Sequence, residues 1–422
     1  MCEPKIPMQL PFFFIIVFWV SVFVVCYTYA GYGILLWLMV KIKETVKGKP
    51  APSNFPQVGE RPSSLPLGED LGEASLPDVA LLVTAYNEKD CVAWKVKNSQ
   101  DLEYPKDKLH LVWVTDGSDD GTPELLQQYP DVTVYHKPEL AGKISAMNRA
   151  VKLITTPVVI FSDANTILGK ESVWRIVNLL ANPKVGCVAG EKRIFDNERD
   201  MAAGAGEGLY WKYESFLKRY DARLFSVVGA AGELFAVRRE FYTEMEEDTL
   251  LDDFIISMRI AMKGHITQYD PKAYACETSS ANVKEELKRK IRIAAGGFQS
   301  MARLSSLLNI FKYGMLSFQY ISHRVLRWTL APLCLSLLLA SNLVLALQAG
   351  IFSCHFFPVA FWLQILFYIM ALIGWFLENH HIKLKILFAP YYFFIMNLAV
   401  YLGFIRYVKK KQTVVWERAK RR

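Results

Sequence analysis

Charge is missing from four long stretches of the sequence, and the short motifs that would assign its class at once do not occur. Residues 9 to 40 (QLPFFFIIVFWVSVFVVCYTYAGYGILLWLMV) hold no Asp, Glu, Lys or Arg. As a helix they would run about 48 Å, more than the ~30 Å hydrocarbon core of a bilayer. Trp328 to Ala349, Ile351 to Leu377 and Ile386 to Ile405 are free of the same residues, and each is long enough to span. No small-x-small cleavage site precedes the lysines after the first run, which favours a retained anchor over a signal peptide. The seven cysteines show no CxxC pair and no metal-ligand spacing, so they read as ordinary buried or membrane residues, with the soluble part in a reducing compartment. Neither G-x-G-x-x-G nor G-x-x-x-x-G-K-[ST] follows the first strand, which weakens dinucleotide-binding and P-loop readings.

The net charge of +8 does not imply a nucleic-acid partner. Basic residues crowd beside the apolar runs: Lys41, Lys43, Lys47 and Lys49 after the first, Lys409 to Lys411 and Arg418 to Arg422 after the last. Membrane flanks account for that distribution, and by the positive-inside rule the large central region is cytoplasmic. The expected location is a multi-pass protein of the plasma (inner) membrane. The loop around Gly350 carries no Lys or Arg and suits the far side. If the last three runs all cross, the basic tail would end outside, against the rule; a last segment broken near Pro390 would return it.

Between these ends the pattern changes. Residues 47 to 77 are a Pro-, Gly- and Ser-rich linker with too little apolar content to fold alone. From Asp78, β-rich runs alternate with helical ones: VALLVTA, a helix to about Asp101, LHLVWVT, a helix near Glu124, VTVYH, a helix over 143 to 153, and PVVIFSD. Such alternation predicts a parallel sheet covered on both faces. Ligands on these sheets bind at the carboxyl ends of the strands, and the polar clusters TAYNE, TDGSDDGT and SDANT sit at those ends. Turn chemistry alone would explain one such cluster. Three on one edge point toward a metal and a nucleotide.

Farther on, TLLDDFIISMR sets Asp252 and Asp253 at the head of a mostly apolar run. A helix start is the simplest reading, since carboxylates suit the positive end of the helix dipole. Residues 283 to 325 read as amphipathic, basic on one face, with Phe311, Met315 and Phe318 available to the other, as in helices of a membrane interface.

The ordered set TAYNE, NSQDLEYPKDKLHLVWVTDGSDDGT, AGKISAMNRA, FSDANT, GAAGELFAVRRE and LLDDFIISMR resembles the family 2 glycosyltransferases of the GT-A fold. More narrowly, it is similar to the membrane-integrated branch that includes the synthases of poly-N-acetylglucosamine, hyaluronan, chitin and cellulose. The resemblance implies an α/β class: a Rossmann-like GT-A domain with α-helical transmembrane and interfacial helices. It divides the chain into an N-terminal transmembrane helix (1–46), the linker (47–77), a catalytic domain (78–282), interfacial helices (283–325), C-terminal transmembrane helices (326–408) and a basic tail (409–422).

The resemblance also implies roles. Asp116 would meet the uracil or ribose of a UDP-sugar, with Thr84, Tyr86 and Glu88 in the same pocket, and Lys143 a phosphate or the nucleotide. The family's DxD motif stands here as Asp163, Ala164 and Asn165, so Asp163 would ligate Mg²⁺ or Mn²⁺, and Asn165 offers a neutral oxygen in place of a second carboxylate. Asp253, paired with Asp252, would be the general base of an inverting transfer. Gly229 and Gly232 would let the backbone approach a sugar. In the Gln-x-x-Arg-Trp motif of processive members, Arg289 stands at the Gln position, Arg292 keeps the arginine for the diphosphate, and Ile293 replaces the Trp. The implied reaction extends a glycan from UDP-GlcNAc or a similar donor, with transfer of one sugar to a lipid-linked acceptor as the alternative. Four membrane helices are few for a secretion channel, which suggests a homodimer or an export subunit.

Overall fold

The computed structural model describes residues 9–47, 76–194, 203–277, 283–379 and 385–410. Most of the expected linker and basic tail therefore lie outside the described residues. Eight strands form one mixed sheet: β1 (Val79–Ala85), β2 (Leu109–Asp116), β3 (Val132–Lys137), β4 (Val158–Asp163), β5 (Ile167–Leu168), β6 (Val185–Ile194), β7 (Leu234–Arg238) and β8 (Ile266–Glu277), in the order β3-β2-β1-β4-β7-β6-β8-β5. The four strands expected from the alternation are all present, and β3, β2, β1 and β4 run parallel. The sheet is not parallel throughout, however. β7 enters antiparallel between β4 and β6. A five-residue strand of this kind leaves the sense of its pairing to the long chain that precedes it, which no local pattern discloses.

Every residue of β1 is buried, as a central strand covered on both faces requires. Successive side chains go to opposite layers. Ala80 and Leu82 join Ile144, Met147, Phe161 and Phe254 on one side, whereas Leu81 and Val83 join Val92, Val96, Val173 and Ile176 on the other. The helix Lys143–Leu153 covers the first layer and Lys89–Gln100 the second.

Among the described residues, four helices are long and apolar enough to cross a membrane: Phe12–Val46, Leu330–Gln348, Phe356–Leu377 and Leu387–Val408. The first includes a π-helical turn at Tyr27–Gly31. The helix Lys385–Val408 runs on through Pro390, so the break that would have returned the tail to the near side is absent. Its final turns instead pack on the helix Val283–Arg303: a Cβ at Gly403 would lie 2.5 Å from that of Ala294, and Phe298 meets Phe404 and Tyr407. The end of this last helix thus lies against the first of the helices expected at the membrane interface, while Lys43, near the end of the first span, donates to Arg223 O and Leu224 O. Of the three apolar residues expected on the membrane-facing side, Phe311 is 99% exposed. Met315 and Phe318 instead pack against Tyr32 and Leu36 of the first span.

A buried ionic network joins catalytic domain and membrane helices. From the helix Ala203–Leu224, Asp221 accepts from Tyr32 Oη (2.5 Å) and faces His323 Nδ1 (2.7 Å), while Glu214 faces His323 Nε2 (3.0 Å) and accepts from Arg327 (2.9 Å) and Arg324 (3.2 Å). Removing one member strands the opposite charges away from water. Glu214→Ala should therefore lower stability by about 3–5 kcal/mol, read as a drop in thermal unfolding midpoint in detergent.

Candidate active site

Parallel pairing puts the carboxyl ends of β1, β2 and β4 side by side, with Thr84 in register with Asp163. The loops beyond them are tied together. Asn87, at φ 53°, donates to Asp119 (2.8 Å), accepts from the Asp119 amide (3.0 Å) and takes Ser118 Oγ as acceptor for its own amide (3.1 Å). The amide of Lys89 donates to Asp120 (3.1 Å). Asp119 and Asp120 therefore hold the two loops together. Between them, Thr84 is buried with no hydrogen bond on its hydroxyl among the described residues, Tyr86 is half-buried, and Glu88 is buried with its amide on Thr122 Oγ1.

Asp116 is fully buried, and one of its oxygens accepts from the amides of Ala141 (2.8 Å) and Gly142 (2.6 Å). It thereby sets the loop from which Lys143 starts its helix. Arg149, which sequence reasoning passed over, approaches the other oxygen at 3.8 Å and donates to Thr115 O (3.0 Å).

Lys143 connects the two halves of the site. Its ammonium lies 3.0 Å from Asp163 Oδ1 and 3.2 Å from Asp252 Oδ2. Burial disfavours its charge, but Asp163 and Asp252 outweigh that cost and raise its pKa above the ordinary lysine value. The acidic pair does sit in the first turn of a helix, Asp252–Met262, yet the capping position is Leu251 and no side chain caps it. Asp252 meets Lys143, and Asp253 borders the backbone at Gly232. Burial, then the neighbouring Asp252 and Glu233, push the Asp253 carboxyl up to about 7, against the pull of Lys143.

Glycine makes room on the far side of Asp253. A Cβ at Gly232 would sit 3.6 Å from Asp253 Oδ2, so this backbone borders the carboxylate. Gly229, at φ 87°, acts differently: a Cβ there would lie 2.2 Å from the ring of Phe254. Its amide neighbour Ala230 donates to Ser257 Oγ (3.0 Å), locking this loop to the helix that carries Asp253.

Arg289 and Arg292 part company. Arg289 is held among carboxylates, 3.3 Å from Glu233, 3.6 Å from Glu277 and 3.8 Å from Glu286, and Lys192 pairs with Glu233 and Glu277 as well. Lys192 and Arg289 hold the Glu233 pKa below the usual carboxylate range in spite of burial. Arg292 makes no hydrogen bond or ion pair with the described residues. Partial desolvation and Arg289 lower its pKa, while Asp252 and Asp163 favour its charge, which places it in the field of the same site. Glu233, Lys192 and Glu277 were not found from sequence. The acid inside GAAGELF was the available signal for the first; the other two come from distant strands.

Among the described residues no group of three or more His, Cys, Asp or Glu is arranged to hold a metal. Asp163 and the half-exposed Asn165 supply one carboxylate and one amide, a donor set that fits a hard cation carried chiefly by substrate phosphates and not one caged by protein.

A family model described as "Glycosyltransferase like family 2" matches residues 77–296, which contain all of these side chains. The chain belongs to glycosyltransferase family 2. This family 2 glycosyltransferase is 24% identical over 244 residues to the poly-beta-1,6-N-acetyl-D-glucosamine synthase of Staphylococcus aureus (strain MSSA476), an alignment covering 56% of the chain and 58% of the relative. It is 25% identical over 243 residues to the probable glycosyltransferase YdaM of Bacillus subtilis (strain 168), covering 52% and 55%. The transferase thus spans a little over half the length of these curated relatives. Its fold matches that of the mannosyltransferase PcManGT from Pyrobaculum calidifontis, solved in complex with GDP-Man and Mn²⁺, with a TM-score of 0.64 at 21% identity over 93% of this chain and 99% of that one. The architecture is the GT-A fold, accompanied by four candidate membrane helices.

The glycine geometry gives a graded expectation. Gly229→Ala should cost about 2–4 kcal/mol, through a left-handed backbone and a clash with Phe254, whereas Gly232→Ala should unfold within about 0.5 kcal/mol of wild type. Thermal unfolding of the two variants checks this.

Proposed function

We propose that this family 2 transferase moves a sugar from a UDP-sugar, with UDP-GlcNAc the first candidate, to a growing polysaccharide by a single inverting displacement. The observation that carries the reading is the cluster in which Lys143 bridges Asp163 and Asp252 while Asp253 stands beside them with a carboxyl pushed up to about 7. A base of that strength takes a proton near neutral pH without being fixed in an ion pair of its own.

In this reading Asp253 accepts the proton of the acceptor hydroxyl as that oxygen attacks the anomeric carbon. The bond from that carbon to the diphosphate oxygen breaks, and its electron pair leaves with UDP. Asp163 and Asn165, together with the phosphates, would hold a Mg²⁺ or Mn²⁺, which would supply positive charge against the departing diphosphate. Lys143 adds charge on the same side, and Arg292 takes the phosphate role sooner than Arg289, whose guanidinium is already engaged by Glu233, Glu277 and Glu286. Thr84, Tyr86, Glu88 and Asp116 border the nucleoside pocket. Support for a polymer product comes from the synthase relative and from the membrane helices packed against the catalytic domain. The same features suit a plasma-membrane enzyme with its catalytic domain in the cytoplasm, and export through a homodimer or partner subunit. Transfer of a single sugar to a lipid-linked acceptor is the second reading, favoured by Ile293 where processive members carry a stacking Trp.

Two outcomes are expected. Asp253→Asn should bind UDP as wild type does yet release UDP from the donor at least about 100-fold more slowly in the presence of acceptor; turnover near wild type removes the base assignment. Because the raised pKa must be passed for the base to be free, transfer by wild type should climb as pH rises through about 7 and fall off below it, a profile read directly from initial rates. Gel sizing of the product separates a long ladder from one sugar on a lipid.

A further inference from the structure

Lys95 lies on the helix Lys89–Gln100, fully buried beneath the turn that carries Asp163 and Asn165, and the reaction outlined above makes no use of it. Its ammonium has three protons and three acceptors: Ser162 Oγ at 2.8 Å, Thr166 O at 2.7 Å and Thr166 Oγ1 at 3.2 Å. Those two residues flank Asp163-Ala164-Asn165, and both hydroxyls also donate to Asp163 O, at 3.3 Å and 2.9 Å. One turn along the same helix, Asn98 grips the far end of the segment, donating to Leu168 O (3.0 Å) and accepting from Leu168 N (2.8 Å).

No carboxylate lies within ion-pair distance of Lys95 among the described residues. Burial pushes the ammonium down to about 7, and the acid that most opposes this is Asp163. Sinking a lysine with no paired carboxylate is costly, and a neutral side chain would serve if the place required only packing.

We propose that Lys95 is a positioning residue for the Asp163–Asn165 turn, holding it from behind, with Asn98, in the shape that receives a nucleoside diphosphate and its divalent cation. The proposal rests on the reading that this turn belongs to the donor site. A lysine carries it because one group here must reach three acceptors at once, on both residues that flank the turn.

The test is calorimetric binding of UDP, with and without Mn²⁺, to the full chain in detergent, alongside donor kinetics. Wild type should bind UDP with Mn²⁺; Lys95→Met should weaken that binding and raise the donor KM by about 10- to 100-fold, with kcat at saturating donor changed far less. Lys95→Gln, which keeps a donor of similar reach, should recover part of the affinity. Should Lys95→Met not fold, Thr166→Val removes one acceptor at nearly constant volume and should show the same KM-selective loss on a smaller scale. Wild-type affinity and KM in Lys95→Met, or in Thr166→Val where that variant stands in, overturn the positioning role. Failure of wild type itself to bind UDP with Mn²⁺ overturns the donor-site reading, and the proposal falls with it.

Discussion

An ammonium shared by two carboxylates organises this molecule. Lys143 stands between Asp163, at the end of β4, and Asp252, at the head of a helix 89 residues later in the chain. Without that charge Asp163 and Asp252 would lose their shared ion-pair partner. With it, Asp163 and Asp252 are paired, while Asp253, which has no ion pair among the described residues, has its pKa raised by burial first and then by Asp252 and Glu233. The division of labour among three aspartates follows from where one lysine sits.

Much of the surrounding structure serves to place that lysine. Asp116 draws in the amides of Ala141 and Gly142, so the Lys143 helix starts at a fixed point beyond β2. Ser257 ties the Gly229 loop to the Asp253 helix, and the backbone at Gly232 borders the carboxylate. Glu214, Asp221 and His323 bind the helix Ala203–Leu224 to the first candidate membrane span through Tyr32 and to the segment before the second.

The first half of the sheet was readable because each element announces itself locally. VALLVTA and PVVIFSD are apolar runs of strand length, and the polar loops fall at their carboxyl ends as the parallel arrangement demands. Asp163, Lys143, Asp252 and Asp253 were legible by motif, and the structure brings them together. The reversed β7 was not, because strand sense depends on a long connection. Nor was the cluster of Lys192, Glu233, Glu277 and Arg289, whose members lie on two strands, a turn and a helix and meet only after the sheet closes. Lys95 looks like any helix lysine in sequence; only its burial singles it out. Arg289 and Arg292, three residues apart, differ for a similar reason, since the first is ion-paired with acids and the second makes no ion pair among the described residues.

The central claim is that Asp163, Lys143 and Asp253 form one site around a nucleoside diphosphate. Determining the structure of the full chain with UDP and Mn²⁺ by electron cryomicroscopy tests it most directly. The account predicts the cation on Asp163 and the phosphates, with the Asp253 carboxylate facing the open side of the cleft where an acceptor hydroxyl would arrive. A nucleotide lodged away from the ends of β1, β2 and β4, or an Asp253 side chain turned out of the cleft, would contradict it.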